Sequence, residues 1–250
     1  MNRRDFIKFA GVLALGITTH QTVSFFSNPS SKEGITNVKR WAMAISFSAC
    51  VKREGCRNCI DACHLIHNVP EIGNPKEEIK WIWSSPYESV FKEQANAFTK
   101  GMLRNLSVLC MCNHCENPPC VKVCPTKATW KRPDGIVMMD YHRCIGCRYC
   151  MAACPYGARS FNWRDPKPFI KNINPDFPGR ATGVVEKCNF CEERIDKGLA
   201  PACVEACPEK ALIFGDLNDP NSDISRALRT RLSIQRRPHL GTEPKVFYLF

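Results

Sequence analysis

The sequence predicts an α+β fold of two small modules, one inserted within the other, and three observations predict it. Sixteen of the seventeen cysteines in 250 residues fall into four tight groups. Three of the groups close on the same short repeat. A hairpin signal separates the second group from the third, so loop, helix, hairpin, loop and helix follow one another in a two-fold order.

The first group is Cys50, Cys56, Cys59 and Cys63, and the second is Cys112, Cys115, Cys120 and Cys124. The third is Cys144, Cys147, Cys150 and Cys154, and the fourth is Cys188, Cys191, Cys203 and Cys207, which leaves Cys110 over. The third group spells C-x2-C-x2-C-x3-C-P, the bacterial ferredoxin run that binds [4Fe–4S] clusters. Its spacing has a chemical reason. Three close thiolates wrap three iron corners of one cubane, and the fourth reaches the other cluster of a pair. The fourth is expected to open a short helix, with the proline fixing the turn. The second group widens one gap (C-x2-C-x4-C-x3-C-P), and the fourth group widens it further (C-x2-C-x11-C-x3-C-P). Group one departs from the pattern, with an opening C-x5-C and no proline after Cys63. The expectation is four [4Fe–4S] clusters, or three if Cys50 is not a ligand.

The repeat reads C-P-x-[K/G]-A at Cys124 to Ala128, Cys154 to Ala158 and Cys207 to Ala211. Thr129 to Lys131 and Ile136 to Met139 flank the turn residues Pro133, Asp134 and Gly135. Groups two and three thus form one ferredoxin-like module, at 108–163. Groups one and four form an outer module from 41–107 and 164–250, with the first inserted inside it.

The formal net charge of +11 would suit nucleic acid. Oxidised clusters carry about −2 each, so four cancel about 8 of those charges. No basic stripe with interleaved aromatics is visible, and a nucleic-acid partner is not expected. The N-terminus reads Arg3-Arg4-Asp5-Phe6-Ile7-Lys8, then an apolar stretch from Phe9 to Ile17. This predicts a twin-arginine signal or anchor over 1–27 and a linker over 28–40, hence an exported, extracytoplasmic protein. That pathway moves folded proteins, which suits a chain loaded with cofactor before export. The apolar part is shorter than the ~20 residues of a span, and no A-x-A cleavage site follows it.

Rival readings of the cysteines fit less well. Disulfide scaffolds are short and do not repeat C-x-x-C with C-P. Tetrahedral zinc needs two pairs, not a run of three with a distant fourth. Cys59 to His64 is one residue too long for c-type haem attachment. Cys110, in the apolar run Val108 to Met111, is expected in a strand as a buried free thiol. His64, His67 and His114 are expected to pack and hydrogen-bond rather than to ligate.

Elsewhere, Trp41 to Phe47 predicts a strand. Ser85-Pro86 predicts a helix start, with Phe91, Ala95, Phe98 and Met102 as a packed stripe. Residues 164–187 predict a long loop. Ala211 to Phe214 predicts a strand, Ser222 or Asp223 caps a helix to about Arg231, and Val246 to Leu249 predicts a terminal strand.

Several stretches resemble a known family: Cys112-Asn113-His114-Cys115-Glu116-Asn117-Pro118-Pro119-Cys120, Gly183-Val184-Val185-Glu186-Lys187-Cys188, and Gly215-Asp216-Leu217-Asn218-Asp219-Pro220. From Trp41 to the C-terminus the chain is similar to the electron-transfer subunits of the dimethyl sulfoxide reductase superfamily, including NrfC-like proteins. Ala62-Cys63-His64, His67-Asn68-Val69-Pro70, Gly73-Asn74-Pro75-Lys76 and the leader resemble the DsrO-type subunits of the DsrMKJOP complex, the Hdr-like menaquinol oxidoreductase.

The resemblance implies a pairing of ligands. Cys50, Cys56 and Cys59 join Cys207, while Cys188, Cys191 and Cys203 join Cys63. Cys112, Cys115 and Cys120 join Cys154, and Cys144, Cys147 and Cys150 join Cys124. It implies a non-catalytic electron relay beside an NrfD-like quinone-reactive membrane subunit (DsrP-like), a multihaem cytochrome c (DsrJ-like) and other subunits of a sulfur-metabolism complex. The alternative client is a molybdopterin oxidoreductase of polysulfide or tetrathionate reductase type. An alternative of another class is a non-redox disulfide or zinc scaffold.

Overall fold

The computed structural model describes residues 38–53, 55–94, 96, 98 and 106–250. The expected signal (1–27), most of the expected linker, Ala95 and Met102 lie outside the described residues. Strands among them are β1 (Trp41–Ser46), β2 (Ile82–Pro86), β3 (Ser107–Met111), β4 (Thr129–Lys131), β5 (Val137–Met139), β6 (Ser160–Phe161), β7 (Val185–Glu186), β8 (Leu212–Asp216), β9 (Ser233–Ile234) and β10 (Val246–Leu249). Helices are α1 (Phe47–Cys50), α2 (Asn58–Ile66), α3 (Tyr87–Val90), α4 (Pro119–Lys122), α5 (Tyr149–Ala153), α6 (Glu192–Ile195), α7 (Ala202–Glu205) and α8 (Asp223–Thr230).

β1 lies inside a four-stranded sheet of order β8-β1-β10-β9, antiparallel to β8 and parallel to β10. Side chains alternate across a strand, and here the alternation sorts by size. Met43 and Ile45 face the main core with Trp81, Leu109 and Tyr248. Ala42 and Ala44 face the other side, where their small methyl groups admit α8 through Ile224 and Ala227. α8 starts where the sequence places it: the Ser222 hydroxyl accepts from the Ser225 N–H at 3.2 Å. β4 and β5 form the expected hairpin. β8 and β10 take the places of the two expected strands after group four.

Three expectations need correction. Ser85 and Pro86 end β2, which pairs with β3; they do not begin a long helix. Among the described residues the helix that follows is the single turn α3, with Pro86 at its N-cap and Phe91 at its C-cap, and Phe98 is exposed rather than packed. Local spacing could not report that the 82–86 backbone is taken by a strand partner beyond it in sequence. The expected loop over 164–187 contains a 3-10 turn at Lys167–Phe169 and ends in β7, paired with β6. Arg40 is not free linker: its backbone and side chain bond Asp216 and Glu116. Among the described residues no helix is long and apolar enough to cross a membrane.

Candidate iron–sulfur centres

Each cysteine loop is shaped by backbone that ordinary residues avoid. Lys127, Gly157 and Lys210 hold the same place in the three C-P repeats, and all have positive φ (53°, 64° and 48°). His114, Arg148, Phe190 and Cys191 do the same in the loops between ligands. Left-handed residues curl the chain so that successive N–H groups and thiols point to one centre. The short helices carry the third cysteine of each group: Cys59 in α2, Cys120 in α4, Cys150 in α5 and Cys203 in α7. The fourth cysteine was expected to open a helix; instead Cys154 caps the end of α5, and Cys124 and Cys207 likewise follow theirs. The proline behind each removes an N–H and disfavours helical backbone at the preceding cysteine. Group one has no such proline, so α2 runs on through Cys63 to Ile66 and delivers His67.

None of the seventeen cysteines is joined in a disulfide. Burial pushes Cys59 up to about 12, helped by the nearby Cys50, Cys207 and Cys56. Burial likewise raises Cys63 well above the ordinary thiol range, with Cys188, Cys191 and Cys203 close around it. Cys115 rises to about 12 through burial and Cys112, with Cys120 and Cys154 adding to it. Cys150 rises by burial against the opposing charge of Arg159, with Cys120 and Cys144 beside it. Cys147 is exposed and Cys144 half-buried. Cys124 goes the other way: burial raises it, but N–H groups of Thr129, Ala128 and Thr126 and the Thr126 hydroxyl prevail and lower it. Similar N–H groups reach sulfur elsewhere: Ala211 to Cys207 at 3.2 Å, Phe190 to Cys188 at 3.4 Å and Ala202 to Cys191 at 3.4 Å.

The cysteines also pack across groups: Cys59, Cys63, Cys188 and Cys203 lie in one buried cluster with Cys112 and Cys207 against it, and Cys120 and Cys150 lie in another. Cys110 stands apart in β3, fully buried, its S–H donating to the Val108 carbonyl at 3.6 Å.

Two of the three histidines stack on aromatic rings and hydrogen-bond. His114 Nδ1 accepts from the Val137 N–H at 3.0 Å, and its ring stacks on Phe190. His67 stacks on Trp81, with Nδ1 2.9 Å from the Cys63 carbonyl and Nε2 2.9 Å from Glu193.

Charged residues that spacing did not single out complete the surroundings. Arg159 is buried and donates to Cys120 Sγ at 3.1 Å and to the Thr129 hydroxyl at 2.8 Å. It stands directly after Cys154-Pro155-Tyr156-Gly157-Ala158, at the repeat position Thr129 and Leu212 hold in the other copies; that repeat was its one signal. The buried Lys187 ammonium donates to the carbonyls of Val137 and Cys188. Arg180 and Glu186, both fully buried, lie 2.8 Å apart, close but not aligned as a hydrogen bond.

The donor set fits iron–sulfur clusters. Gathered, buried thiols resist ionising because each charge is penalised by burial and by the others. Cationic iron removes that penalty, since a coordinated thiol is deprotonated outright. Residues 106–168 and 143–212 each match the 4Fe–4S dicluster domain family. Two overlapping dicluster matches and seventeen cysteines make the chain a carrier of multiple [4Fe–4S] clusters, in keeping with the expected four, or three if Cys50 is not a ligand. The chain is 43% identical to the Hdr-like menaquinol oxidoreductase iron-sulfur subunit 1 of Archaeoglobus fulgidus, over 99% of this chain and 97% of the relative. It is 37% identical to the iron-sulfur cluster-binding subunit of the menaquinone reductase of Nitratidesulfovibrio vulgaris, covering 84% of this chain and 88% of the other. With a subunit of the tetrathionate reductase of Salmonella typhimurium it shares 36% identity, over 99% and 88%. The chain belongs to the NrfC-like family of iron–sulfur electron-transfer subunits, of dimethyl sulfoxide reductase type.

Proposed function

We propose that the chain is the extracytoplasmic, non-catalytic electron-transfer subunit of a membrane-bound, quinone-linked oxidoreductase, passing electrons between an NrfD-like quinone-reactive subunit and cytochrome or sulfur-metabolism partners. In this reading Cys50, Cys56, Cys59 and Cys207 hold one cluster, and Cys63, Cys188, Cys191 and Cys203 the next. Cys112, Cys115, Cys120 and Cys154 hold the third, and Cys124, Cys144, Cys147 and Cys150 the fourth, in two nested ferredoxin-like modules. The clusters supply one-electron redox chemistry. The protein supplies spacing, burial and hydrogen bonds to sulfur.

The observation that carries the reading is how the cysteines pack: Cys59, Cys63, Cys188 and Cys203 are buried in one cluster with Cys207 and Cys112 against it, Cys112 and Cys154 pack with Cys115, and Cys120 packs with Cys150 and Cys144, which supports one order for the sets. A relay needs that order, whereas a zinc or disulfide scaffold does not. The Archaeoglobus and Nitratidesulfovibrio relatives support a menaquinol-linked complex. The tetrathionate reductase relative, which also aligns over 99% of this chain, favours a second reading in which a molybdopterin oxidoreductase is the client.

The test is purification of the tagged chain from solubilised membranes, with iron and sulfide analysis of the product. About 16 iron atoms per chain are expected, together with an integral membrane subunit and a c-type cytochrome. A colourless, iron-free protein sinks the relay. A large molybdopterin subunit in place of the cytochrome moves the chain to the second reading. Placement is tested separately: changing Arg3 and Arg4 to Lys should leave the protein inside the cell, protected from protease added to spheroplasts.

A further inference from the structure

Arg159 occupies a place its charge alone would make costly. Its side chain is buried, and its hydrogen bonds go to Cys120 Sγ, the Thr129 hydroxyl and Met139 Sδ, with no carboxylate among them. A guanidinium stays charged in proteins, and an uncompensated buried charge costs several kcal/mol. Something negative must therefore lie there. The neighbours name it: Arg159 is 3.1 Å from Cys120 Sγ, and its other partner Met139 packs against the cluster that holds Cys150. Cys120 and Cys150 share one buried cluster with Val137 and Val185, where α4 and α5 pack together. Arg159 thus stands at the junction of two ligand sets.

We propose that Arg159 is a shared potential-setting residue for the cluster held by Cys112, Cys115, Cys120 and Cys154 and the cluster held by Cys124, Cys144, Cys147 and Cys150. The proposal rests on the ligand sets of the preceding reading. Reduction adds one negative charge to either centre, and net charge and hydrogen bonds to sulfur set such potentials. A fixed cation in contact with one set and close to the other favours the reduced form of both. It also faces the added charge on either side of the hop, so transfer of one electron between the two involves little change in its own electrostatic energy. No proton moves and no bond is made or broken.

The test is a mediated redox titration of the purified holoprotein followed by electron paramagnetic resonance, on wild type, Arg159→Met, Arg159→Gln and Arg159→Lys, with iron content measured on each. In Arg159→Met the reduced-to-oxidised ratio at fixed ambient potential should fall at least tenfold for two of the four clusters, a shift of about 59 mV for a one-electron couple. The other two should hold their wild-type midpoints. Arg159→Lys, which keeps the charge, should recover at least half the shift. Arg159→Gln, which keeps an N–H donor without the charge, should not.

Unmoved midpoints at full iron content in both neutral variants overturn the proposal, and so does an equal shift of all four clusters. Arg159→Lys behaving like Arg159→Met also overturns it, since shape and not charge would then matter. If both neutral variants shed iron while Arg159→Lys keeps it, the residue serves assembly and the proposal is again overturned. A wild type without four reducible clusters fails the ligand reading itself, a failure visible before any variant is compared.

Discussion

The indole N–H of Trp81 donates to Glu186 at 2.9 Å, joining residues 105 positions apart. The same carboxylate accepts from the Asn162 amide at 2.5 Å and faces the buried Arg180 at 2.8 Å. Arg180 in turn donates to the carbonyls of His67 and Asn68, so the end of α2 is tied through one carboxylate to β7 and the Cys188 loop.

Glu186→Leu should therefore be among the most damaging single changes outside the cysteines. It strands a buried guanidinium, an indole N–H and an amide together. Removing one member of a buried pair costs about 3–5 kcal/mol. Thermal unfolding of the holoprotein should show a large drop in midpoint, with iron loss at lower temperature; an unchanged melt would contradict the network.

Two cysteine variants should part company. Cys50→Ala should lower iron from about 16 to about 12 atoms per chain, the content of one cluster. Cys110→Ala should leave iron unchanged and cost on the order of 1 kcal/mol, because Cys110 packs in β3 away from the ligand sets. Iron analysis beside a melting curve separates a ligand from a packing thiol.

Gly146 lies inside the third cysteine loop with φ +69°, and a Cβ there would sit 2.5 Å from the Gly183 carbonyl oxygen. Gly146→Ala combines left-handed strain of about 1–3 kcal/mol with a backbone clash. The loop between Cys144 and Cys147 should be displaced, and iron content should fall by about one cluster, or about 4 atoms. The electron paramagnetic resonance spectrum should lose one component while the remainder persists.

Ser222→Ala tests the far side of the sheet. The hydroxyl caps α8 and also donates to the Asp216 carbonyl at 2.7 Å. Its loss should cost about 0.5–2 kcal/mol and leave every cluster midpoint in place. Denaturant unfolding with redox titration on one preparation checks both halves.

Whatever depended on neighbours in sequence was open to reading. Thiol spacing follows from the size of one cubane. Ser222 marks a helix start because its oxygen reaches an N–H three residues on, and the Lys127, Gly157 and Lys210 positions repeat with their motif. What required distant partners was not legible. The strand order β8-β1-β10-β9 and the β2–β3 pairing that takes up Ser85 and Pro86, where a helix was expected to start, depend on which backbone groups meet after folding. So do the contacts of Trp81 and Arg180 with Glu186, and the place of Arg159 between Cys120 and Cys150. A buried charge looks like any surface charge in a string of letters; only the packed chain decides which cations are shut in beside sulfur, because burial belongs to the assembled interior and not to the local run.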